Sequence, residues 1–395
     1  MKKATREQTK QHNYRLVLKL IYDNEKISRA EIARITALTP TTVSALVDEW
    51  IAQGLVSEVG QSRLTVGKPP THLSLVKDAR QMIGIDLGNS ELRGVVTNLR
   101  GEIIHQSCLR LEGRKGSQAL ELVFQLVENM LKMVDRPLLG IGIGTPGIVE
   151  KDARIIRGSI NLDWWDLPLC DLLEERFHQP VLMINDSRAA VLGEYTFGKS
   201  RGISDLVVIK VGDGISAGIL LGGELYYGFS SGAGEIGHVT VAPEGDMCRC
   251  GHRGCLEAMA SCGSIIRQAQ RLAQSHPESL LSRLKTHPAD IEFEDVLQAV
   301  KEGDELATRL VEQVGEYLGV AAANIVGLLN IPRIVIAGIV SKFGEPLTQS
   351  IRQKMSQYSI SAIADQTEIE ISPLGDDIVT LGAVALLVRN KLGLL

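Results

Sequence analysis

The stretch from Gly234 to Glu257 constrains the fold more than any other, because it gathers candidate metal ligands into one short segment. It reads GEIGHVTVAPEGDMCRCGHRGCLE. The ligands follow the spacing His-x9-Cys-x-Cys-x4-Cys, at His238, Cys248, Cys250 and Cys255. One imidazole and three thiolates form a set that binds structural zinc. The sequence therefore predicts a zinc loop over residues 234–257.

A disulfide is the alternative use for these cysteines, three of which lie in the loop. The sequence shows neither a signal peptide nor an extended apolar start, the features that would suggest an oxidising compartment. We therefore expect a cytoplasmic protein and favour zinc. Glu235 and Glu257 flank the ligands, and their carboxylates could accept hydrogen bonds from a hydroxylated ligand beside the loop.

The pattern GEIGH followed by CxCGxxGCxE resembles the signature of the ROK family, whose name stands for repressors, open reading frames and kinases. The resemblance implies that the zinc loop supports a sugar site. There Glu235, His238 and Glu257 would hold sugar hydroxyls, and His238 would give its other ring nitrogen to zinc. The resemblance also leaves two functions open, a sugar kinase and a sugar-responsive transcriptional regulator.

Residues 1–76 have the pattern of a winged helix-turn-helix domain. Ser28 and Glu31 form a capping box at the start of a second helix, and Thr39-Pro40 begins a third. A small helical bundle is the alternative. Two β-like runs follow Gly54, however, and they favour a wing.

Polar residues near the start of the third helix are the candidates for contacts with base edges, namely Thr39, Thr41, Thr42 and Ser44. Candidates for phosphate contacts are Arg15, Arg29 and Arg63. Lys68 stands in the segment Gly67-Lys68-Pro69-Pro70, which could enter a minor groove. A plain interdomain linker is the alternative for that segment.

The charge of the chain is unevenly distributed. Residues 1–80 hold 13 Lys and Arg against 8 Asp and Glu, a net charge of +5. Because the whole chain has a net charge of −5, the remaining residues carry a net charge of −10. A basic head on an acidic body indicates nucleic-acid contact by the head. The most apolar run, residues 320–340, is interrupted by Asn, Pro and Arg, so we expect no membrane span.

Two similar strand patterns follow the head. Residues 82–104 read MIGIDLGNSELRGVVTNLRGEII, and residues 205–228 read DLVVIKVGDGISAGILLGGELYYG. Each has three apolar strands joined by glycine-containing turns, which indicates a duplicated α/β body. We predict lobes at 80–190 and 191–395, with the C-terminal helix returning to the first. The family resemblance implies an actin-like (RNase H-like) sugar-kinase fold.

Asn185 and Asp186 follow the apolar strand Val181–Ile184, at a strand end where a ligand can bind. The resemblance implies that this pair holds the sugar and that Asp186 accepts the proton of an attacking hydroxyl in a kinase. The alternative is that Asp186 caps the helix after it. Trp164 and Trp165 could also approach the pocket. Two adjacent tryptophans more often lie one in the hydrophobic core and one at its rim, however, and we leave them out of the site.

The phosphate-binding motifs depart from those of the family's kinases. Asp86-Leu87-Gly88-Asn89-Ser90 stands where the kinases have Asp-x-Gly-Gly-Thr, and Gly212-Asp213-Gly214 stands where they have Gly-Thr-Gly. Asp213 would repel phosphates. Ala337-Gly338-Ile339 replaces a Gly-Gly-Gly type of turn. We therefore do not expect ATP or Mg²⁺ as cofactors.

These motifs together favour a sugar-responsive transcriptional regulator, a repressor, which binds operator DNA and a monosaccharide or a derivative of one. A homodimer or homotetramer would present two recognition helices to DNA. The alternative is an active sugar kinase that carries a DNA-binding head, with Asp186 as its catalytic base.

Overall fold

A winged helix-turn-helix forms the N-terminal head, residues 5–76. The structure is a computed structural model that describes residues 5–61, 71–147, 149 and 154–394. The elements of the head are α1 (Arg6–Asp23), β1 (Ile27–Ser28), α2 (Arg29–Thr36), α3 (Pro40–Ala52), β2 (Val56–Gln61) and β3 (Thr71–Leu75). Strand β3 lies between β1 and β2 and runs antiparallel to both. The predicted winged helix is confirmed.

Both predicted helix starts in the head are present. The Ser28 hydroxyl accepts a hydrogen bond from the Glu31 amide, and the Glu31 carboxylate accepts one from the Ser28 amide. Thr39 caps α3 by accepting a hydrogen bond from the Thr42 amide. Each such cap stabilises its helix by about 1 kcal/mol. The buried face of α3 consists of Val43, Leu46, Val47 and Trp50.

Strands β2 and β3 are the two arms of the wing, paired from Val56 with Leu75 to Val59 with His72. The predicted DNA contacts at Arg63 and Lys68, with the rest of Gly67-Lys68-Pro69-Pro70, lie outside the described residues. Those assignments therefore stay predictions.

The body begins with a five-stranded mixed sheet. Its lobe contains β4 (Gln81–Leu87), β5 (Glu91–Asn98), β6 (Ile103–Arg110), α4 (Gly116–Lys132), β7 (Leu138–Thr145), β8 (Ile156–Ser159), β9 (Trp164–Leu167), α5 (Leu169–Phe177), β10 (Val181–Asn185) and α6 (Asp186–Phe197). The spatial order is β10-β7-β4-β5-β6. Strands β4, β5 and β6 form an antiparallel meander, and β7 runs parallel to both β4 and β10.

The second lobe repeats this topology. Its elements are β11 (Leu206–Val211), β12 (Ile215–Leu221), β13 (Glu224–Leu225), α7 (Leu256–Ala260), α8 (Cys262–Ser275), α9 (Leu280–Arg283), α10 (Phe293–Lys301), α11 (Glu305–Leu329), β14 (Arg333–Ala337), α12 (Glu345–Tyr358), α13 (Ser361–Ala364), β15 (Glu368–Ile371) and α14 (Ile378–Leu387). The order β13-β12-β11-β14-β15 matches that of the first sheet, strand for strand. The predicted two-lobed α/β fold is confirmed.

Helix α14 packs against β4, β7 and α6 of the first lobe. Glycines permit this close approach. A Cβ on Gly84 would lie 2.3 Å from the carbonyl oxygen of Thr380, and one on Gly142 would lie 2.1 Å from that of Ala383. A Cβ on Gly382 would lie 1.8 Å from the carbonyl oxygen of Ala189. Helix α14 is thus set directly on the first sheet and on α6.

The end of the chain packs into the head. Leu387 and Leu392 share one hydrophobic core with Val17, Leu18 and Ile21 of α1. The Lys19 ammonium also donates a hydrogen bond to the Leu394 carbonyl, at 3.1 Å. Head and body are therefore joined by buried apolar surface as well as by the chain, and one helix, α14, contacts both the head's core and the start of the body.

Candidate functional site

A cavity of about 1220 Å³ lies between the two lobes. The first lobe contributes the turn after β4, the loop around Gly147 and the start of α6. The second lobe contributes the turn between β11 and β12, the predicted zinc loop and the turn after β14. All five sugar-site candidates line it: Asn185, Asp186, Glu235, His238 and Glu257. The fold thus brings together residues that are up to 72 positions apart in the sequence.

Asn185 is fastened at the start of α6. Its Oδ1 atom accepts hydrogen bonds from the backbone amides of Ser187 and Arg188, at 3.1 and 3.3 Å. Its Nδ2 atom donates to the Gly147 carbonyl at 3.2 Å and to Asp186 Oδ1 at 3.1 Å. Asn185, not Asp186, is therefore the N-cap of this helix. The alternative in which Asp186 serves only as the cap is wrong.

Asp186 is the first residue of α6 and is 8% exposed. Its Oδ1 atom accepts a hydrogen bond from the Ser187 amide at 2.8 Å, and its Oδ2 atom lies 2.6 Å from the ammonium nitrogen of Lys210. This ion pair crosses from the first lobe to the second. The sequence analysis missed Lys210. Its signal was a lysine inside the otherwise apolar strand VVIKV.

A second carboxylate, that of Asp86 at the end of β4, belongs to the same group. Its Oδ1 atom is buried without a hydrogen-bond partner among the described residues. Burial raises the pKa of Asp86 to about 6, although the charge of Lys210 opposes this. Burial also lowers the pKa of Lys210, but Asp186 and Asp86 raise it by more, so it lies above its ordinary value.

Glu257 connects the zinc loop to the second lobe's hairpin. Its Oε2 atom accepts a hydrogen bond from the Ile215 amide, and its Oε1 atom accepts one from Arg249 Nε, both at 3.0 Å. A Cβ on Gly214 would lie 2.9 Å from Oε2, so this turn residue must be small for the glutamate to reach the amide. Glu257 is 8% exposed and is therefore held in one orientation.

Glu235 immediately precedes a short 3-10 turn, Ile236–His238, of which His238 is the last residue, and both side chains are exposed and line the cavity. Gly237 brings this turn against β12, because a Cβ there would lie 2.2 Å from the Ile215 carbonyl oxygen. The Nδ1 atom of His238 faces Cys248 Sγ at 3.7 Å. The ring thus stands between the cysteines and the cavity.

The four predicted metal ligands are clustered. One ligand atom from each of His238, Cys248, Cys250 and Cys255 lies within 4.8 Å of the others. The sulfurs of Cys250 and Cys255 are 3.6 Å apart, close to the roughly 3.8 Å edge of a tetrahedron with Zn–S bonds of about 2.3 Å. None of the six cysteines, all of which the structure describes, forms a disulfide. The donor set and its size fit a metal ion.

Other turns that line the cavity carry acidic or amide side chains. Asp213 lies between Gly212 and Gly214 at the tip of the β11–β12 hairpin and lines the cavity. Asn89 accepts a hydrogen bond from Asn161 at 2.8 Å. At the rim, Lys342 pairs with Asp376 at 3.0 Å. Asn89 and Asp213 stand in the two hairpin turns that the family resemblance assigns to nucleotide phosphates.

Two further lining residues were left out of the predicted site. Asn161 and Trp165 both line the cavity, and the Trp165 side chain is 65% exposed. Trp164, by contrast, is buried and donates a hydrogen bond to the Gly116 carbonyl at 2.9 Å. Adjacent tryptophans thus have opposite roles, core and rim, because successive residues of a strand face opposite sides.

The head exposes the start of α3, as a DNA-reading helix requires. Thr39 and Thr41 are exposed, whereas Thr42 and Ser44 are half-buried. The guanidinium of Arg29 is held by Asp48 and Glu58 rather than standing free. Phosphate contact by Arg29 therefore requires its ion pairs with Asp48 and Glu58 to break. Arg15 packs against the C-terminal turn, since a Cβ on Gly393 would lie 2.4 Å from the Arg15 side chain.

Comparison with known proteins identifies two parts of the chain. A family model described as "ROK family" matches residues 82–390, and one described as "MarR family" matches residues 12–63. A xylose repressor of Caldicellulosiruptor bescii is 35% identical over 97% of both chains. An N-acetylglucosamine repressor of Escherichia coli is 30% identical over 97% of this chain and 94% of its own.

The body alone is also similar to kinases. A glucokinase of Halalkalibacterium halodurans is 34% identical over 77% of this chain and 93% of its own. Among solved structures, a ROK family transcriptional regulator, described as a homologue of the E. coli MLC protein, superposes with a TM-score of 0.84 at 28% identity over 98% of both chains. In the part of the chain that the structure describes, no helix is both long and apolar enough to span a membrane.

Proposed function

The chain belongs to the ROK family, and we propose that it is a sugar-responsive transcriptional repressor of the cytoplasm, which binds operator DNA through its head and a monosaccharide or a derivative in its cleft. One observation carries this function: a MarR-type head is fused to a sugar-kinase-type body and shares a hydrophobic core with it.

The polar contacts of the sugar would be Asn185, Asp186, Glu235, His238 and Glu257. Hydroxyl groups both donate and accept hydrogen bonds, and this set offers carboxylate, amide and imidazole atoms from both lobes. Because Asn185 and Glu257 are already hydrogen-bonded to backbone amides, little side-chain entropy is lost on binding. A sugar that contacts both groups would draw the lobes together.

Zn²⁺ would be held by His238, Cys248, Cys250 and Cys255, and its contribution is structural. The ion would hold together the loop that runs from the 3-10 turn, Ile236–His238, to the start of α7. His238 and Glu257 would then face the cavity together. Metal binding of this kind is coupled to folding of the loop.

On DNA, Thr39, Thr41, Thr42 and Ser44 would contact base edges, Arg29 would contact phosphates, and Lys68 would enter a minor groove. A homodimer or homotetramer would set two recognition helices about 34 Å apart, or a multiple of this distance. Helix α14 contacts both α6, which begins at Asp186, and β4, whose Met82 belongs to the hydrophobic core of the head. It is the proposed route by which the sugar alters that spacing.

The second candidate function, a sugar kinase with a DNA-binding head, is favoured by Asp186 and by the similarity to a glucokinase. Two groups oppose it. Asp213 places a negative charge where phosphates would approach, and Lys210 is paired with the carboxylate that would act as the base.

Operator binding tests the proposal. Fluorescence anisotropy with DNA fragments selected from a genomic library should detect salt-dependent binding by the full chain, altered by one sugar of a panel that includes glucose, xylose and N-acetylglucosamine. Thr42→Ala should change the preferred sequence, and Arg29→Ala should weaken binding to all sequences about equally. A chain that binds no fragment, or whose binding no sugar alters, would contradict the proposal.

A further inference from the structure

Lys210 occupies an unusual position for a charged residue. It lies on β11, the central strand of the second sheet, where it pairs with Ser216 of β12 and Ala337 of β14. Its neighbours on the strand, Ile209 and Val211, are buried. A lysine in such a strand is expensive unless its charge is paired.

The charge of Lys210 is paired across the cleft. Its ammonium lies 2.6 Å from Asp186 Oδ2, and the two side chains are 25% and 12% exposed. Asp86, whose Oδ1 atom has no hydrogen-bond partner among the described residues, lines the same cavity from the end of β4, and its negative charge raises the pKa of Lys210. Three elements, β4, β11 and α6, thus contribute charged side chains to one part of the cavity.

Without that cation the floor of the cleft would hold two neighbouring carboxylates, Asp86 and Asp186. The negative charge of Asp213, at the hairpin tip, would add to theirs. Like charges so close favour protonation of one of them or capture of a cation. Kinases use a divalent cation to neutralise such a site and the phosphates bound there. Here the protein carries its own.

We propose that Lys210 is the built-in cation of this cleft: it holds Asp186 as an ionised hydrogen-bond acceptor for a hydroxyl of an uncharged sugar, and it takes the place of a divalent metal. The choice of an uncharged sugar follows from the charge balance, since nine carboxylates and six Lys and Arg side chains line the cavity and a phosphorylated hydroxyl near Asp86, Asp186 and Asp213 would be repelled. This inference rests on the proposed function for its sugar, but its claim about metal does not.

The first experiment needs no sugar. The full chain, purified without chelator, is titrated with MnCl2 and followed by electron paramagnetic resonance. Wild type should bind no Mn²⁺ at the cleft, whereas Lys210→Met should bind one additional ion, because its carboxylates are then unneutralised. Lys342→Met is the matched control: this cleft lysine pairs with Asp376 instead, and its loss should leave the result for wild type unchanged.

The second experiment uses calorimetry with the sugar that the panel identifies. Wild-type affinity should not depend on MgCl2, and the 6-phosphate of that sugar should bind more weakly. Lys210→Met should bind the sugar about tenfold more weakly or worse, and millimolar MgCl2 should restore most of the loss. The double variant Asp86→Asn/Lys210→Met, in which fewer charges oppose one another, should recover affinity without magnesium and protects the test against simple misfolding.

Equal Mn²⁺ binding by wild type and Lys210→Met would overturn the inference whether or not any sugar binds. So would wild-type sugar binding that requires Mg²⁺, or unchanged affinity in Lys210→Met. If instead no sugar binds to wild type while Lys210→Met gains the manganese site, the built-in cation stands and the proposed function fails.

Discussion

The two halves of the cleft differ in how their polar groups are held. On the proposed sugar side, Asn185, Asp186 and Glu257 each accept hydrogen bonds from backbone amides and are oriented before any ligand arrives. At other turns of the cavity, Asp213 is negatively charged and Lys342 is already paired with Asp376. The comparison shows that hydrogen bonds to backbone amides can preorganise one part of a cleft while another part carries groups that would oppose phosphates.

Removing a zinc ligand should have the largest effect on this comparison, because the loop supports the sugar side alone. We expect Cys248→Ser to lose zinc and to lower the melting temperature by roughly 10 °C or more, since the loop loses its central constraint. Metal analysis and calorimetric scanning measure both. Cys108→Ser, an exposed cysteine on β6, is the control and should change neither. A folded wild type without zinc would end the metal assignment.

Asp186→Ala should weaken sugar binding by about 100-fold, because a charged hydrogen-bond acceptor is removed and Lys210 is left unpaired. DNA binding without sugar should be retained, since the head lies elsewhere. Asp376→Ala, on the opposite rim of the same cavity, should change sugar affinity by less than about twofold. Similar losses in the two variants would remove the distinction between the halves.

The half-buried Asp86, whose Oδ1 atom is buried, makes stability depend on pH. Its pKa rises from 3.8 in the unfolded chain to about 6 in the folded one, so folding favours its protonated form. This contribution is complete below pH 4 and is lost as the pH rises through about 6. Asp86→Asn should therefore stabilise the protein at pH 7.5 by about 1–3 kcal/mol, and by little at pH 4. Urea unfolding at both pH values tests this; a gain at pH 4 as large as that at pH 7.5 would contradict it.

The smallest expected signal is kinase activity. Wild type should show little or no phosphorylation of glucose, N-acetylglucosamine, N-acetylmannosamine, xylose, allose or fructose, because a base alone cannot replace positioning of the phosphates. Asp213→Thr combined with Asn89→Gly should gain measurable turnover in a coupled assay. Wild-type turnover near or above about 1 s⁻¹ would instead establish the bifunctional kinase.

Much of the cleft could be predicted because it depends on local sequence patterns. The spacing of His238, Cys248, Cys250 and Cys255 predicts a metal-binding cluster, since four donors in so short a segment are close together in the fold. The duplicated hairpins were visible as repeated strand and turn patterns, which reflect local backbone preferences. The capping box at Ser28 and Glu31 was visible for the same reason.

Contacts between distant segments were not predictable in this way. Arg29 was predicted to contact phosphate because it is a cation in the basic head. In the folded head it forms ion pairs with Asp48 and Glu58. Asn185 and Asp186 are adjacent, and their hydrogen bonds decided which of them caps α6. Trp164 and Trp165 differ only in which face of β9 they occupy.

The sequence by itself determined the classes of the two domains, the cluster of one histidine and three cysteines, and the strand end that bears Asp186, because each depends on residues a few positions apart. Only the tertiary structure decided that Lys210 pairs with Asp186 in the cavity that Asp86 also lines, and that α14 joins the cleft to the head. Those contacts arise when two sheets face each other and the end of the chain returns beneath them. Pairing across such distances is set by packing of the whole chain, which no local pattern records.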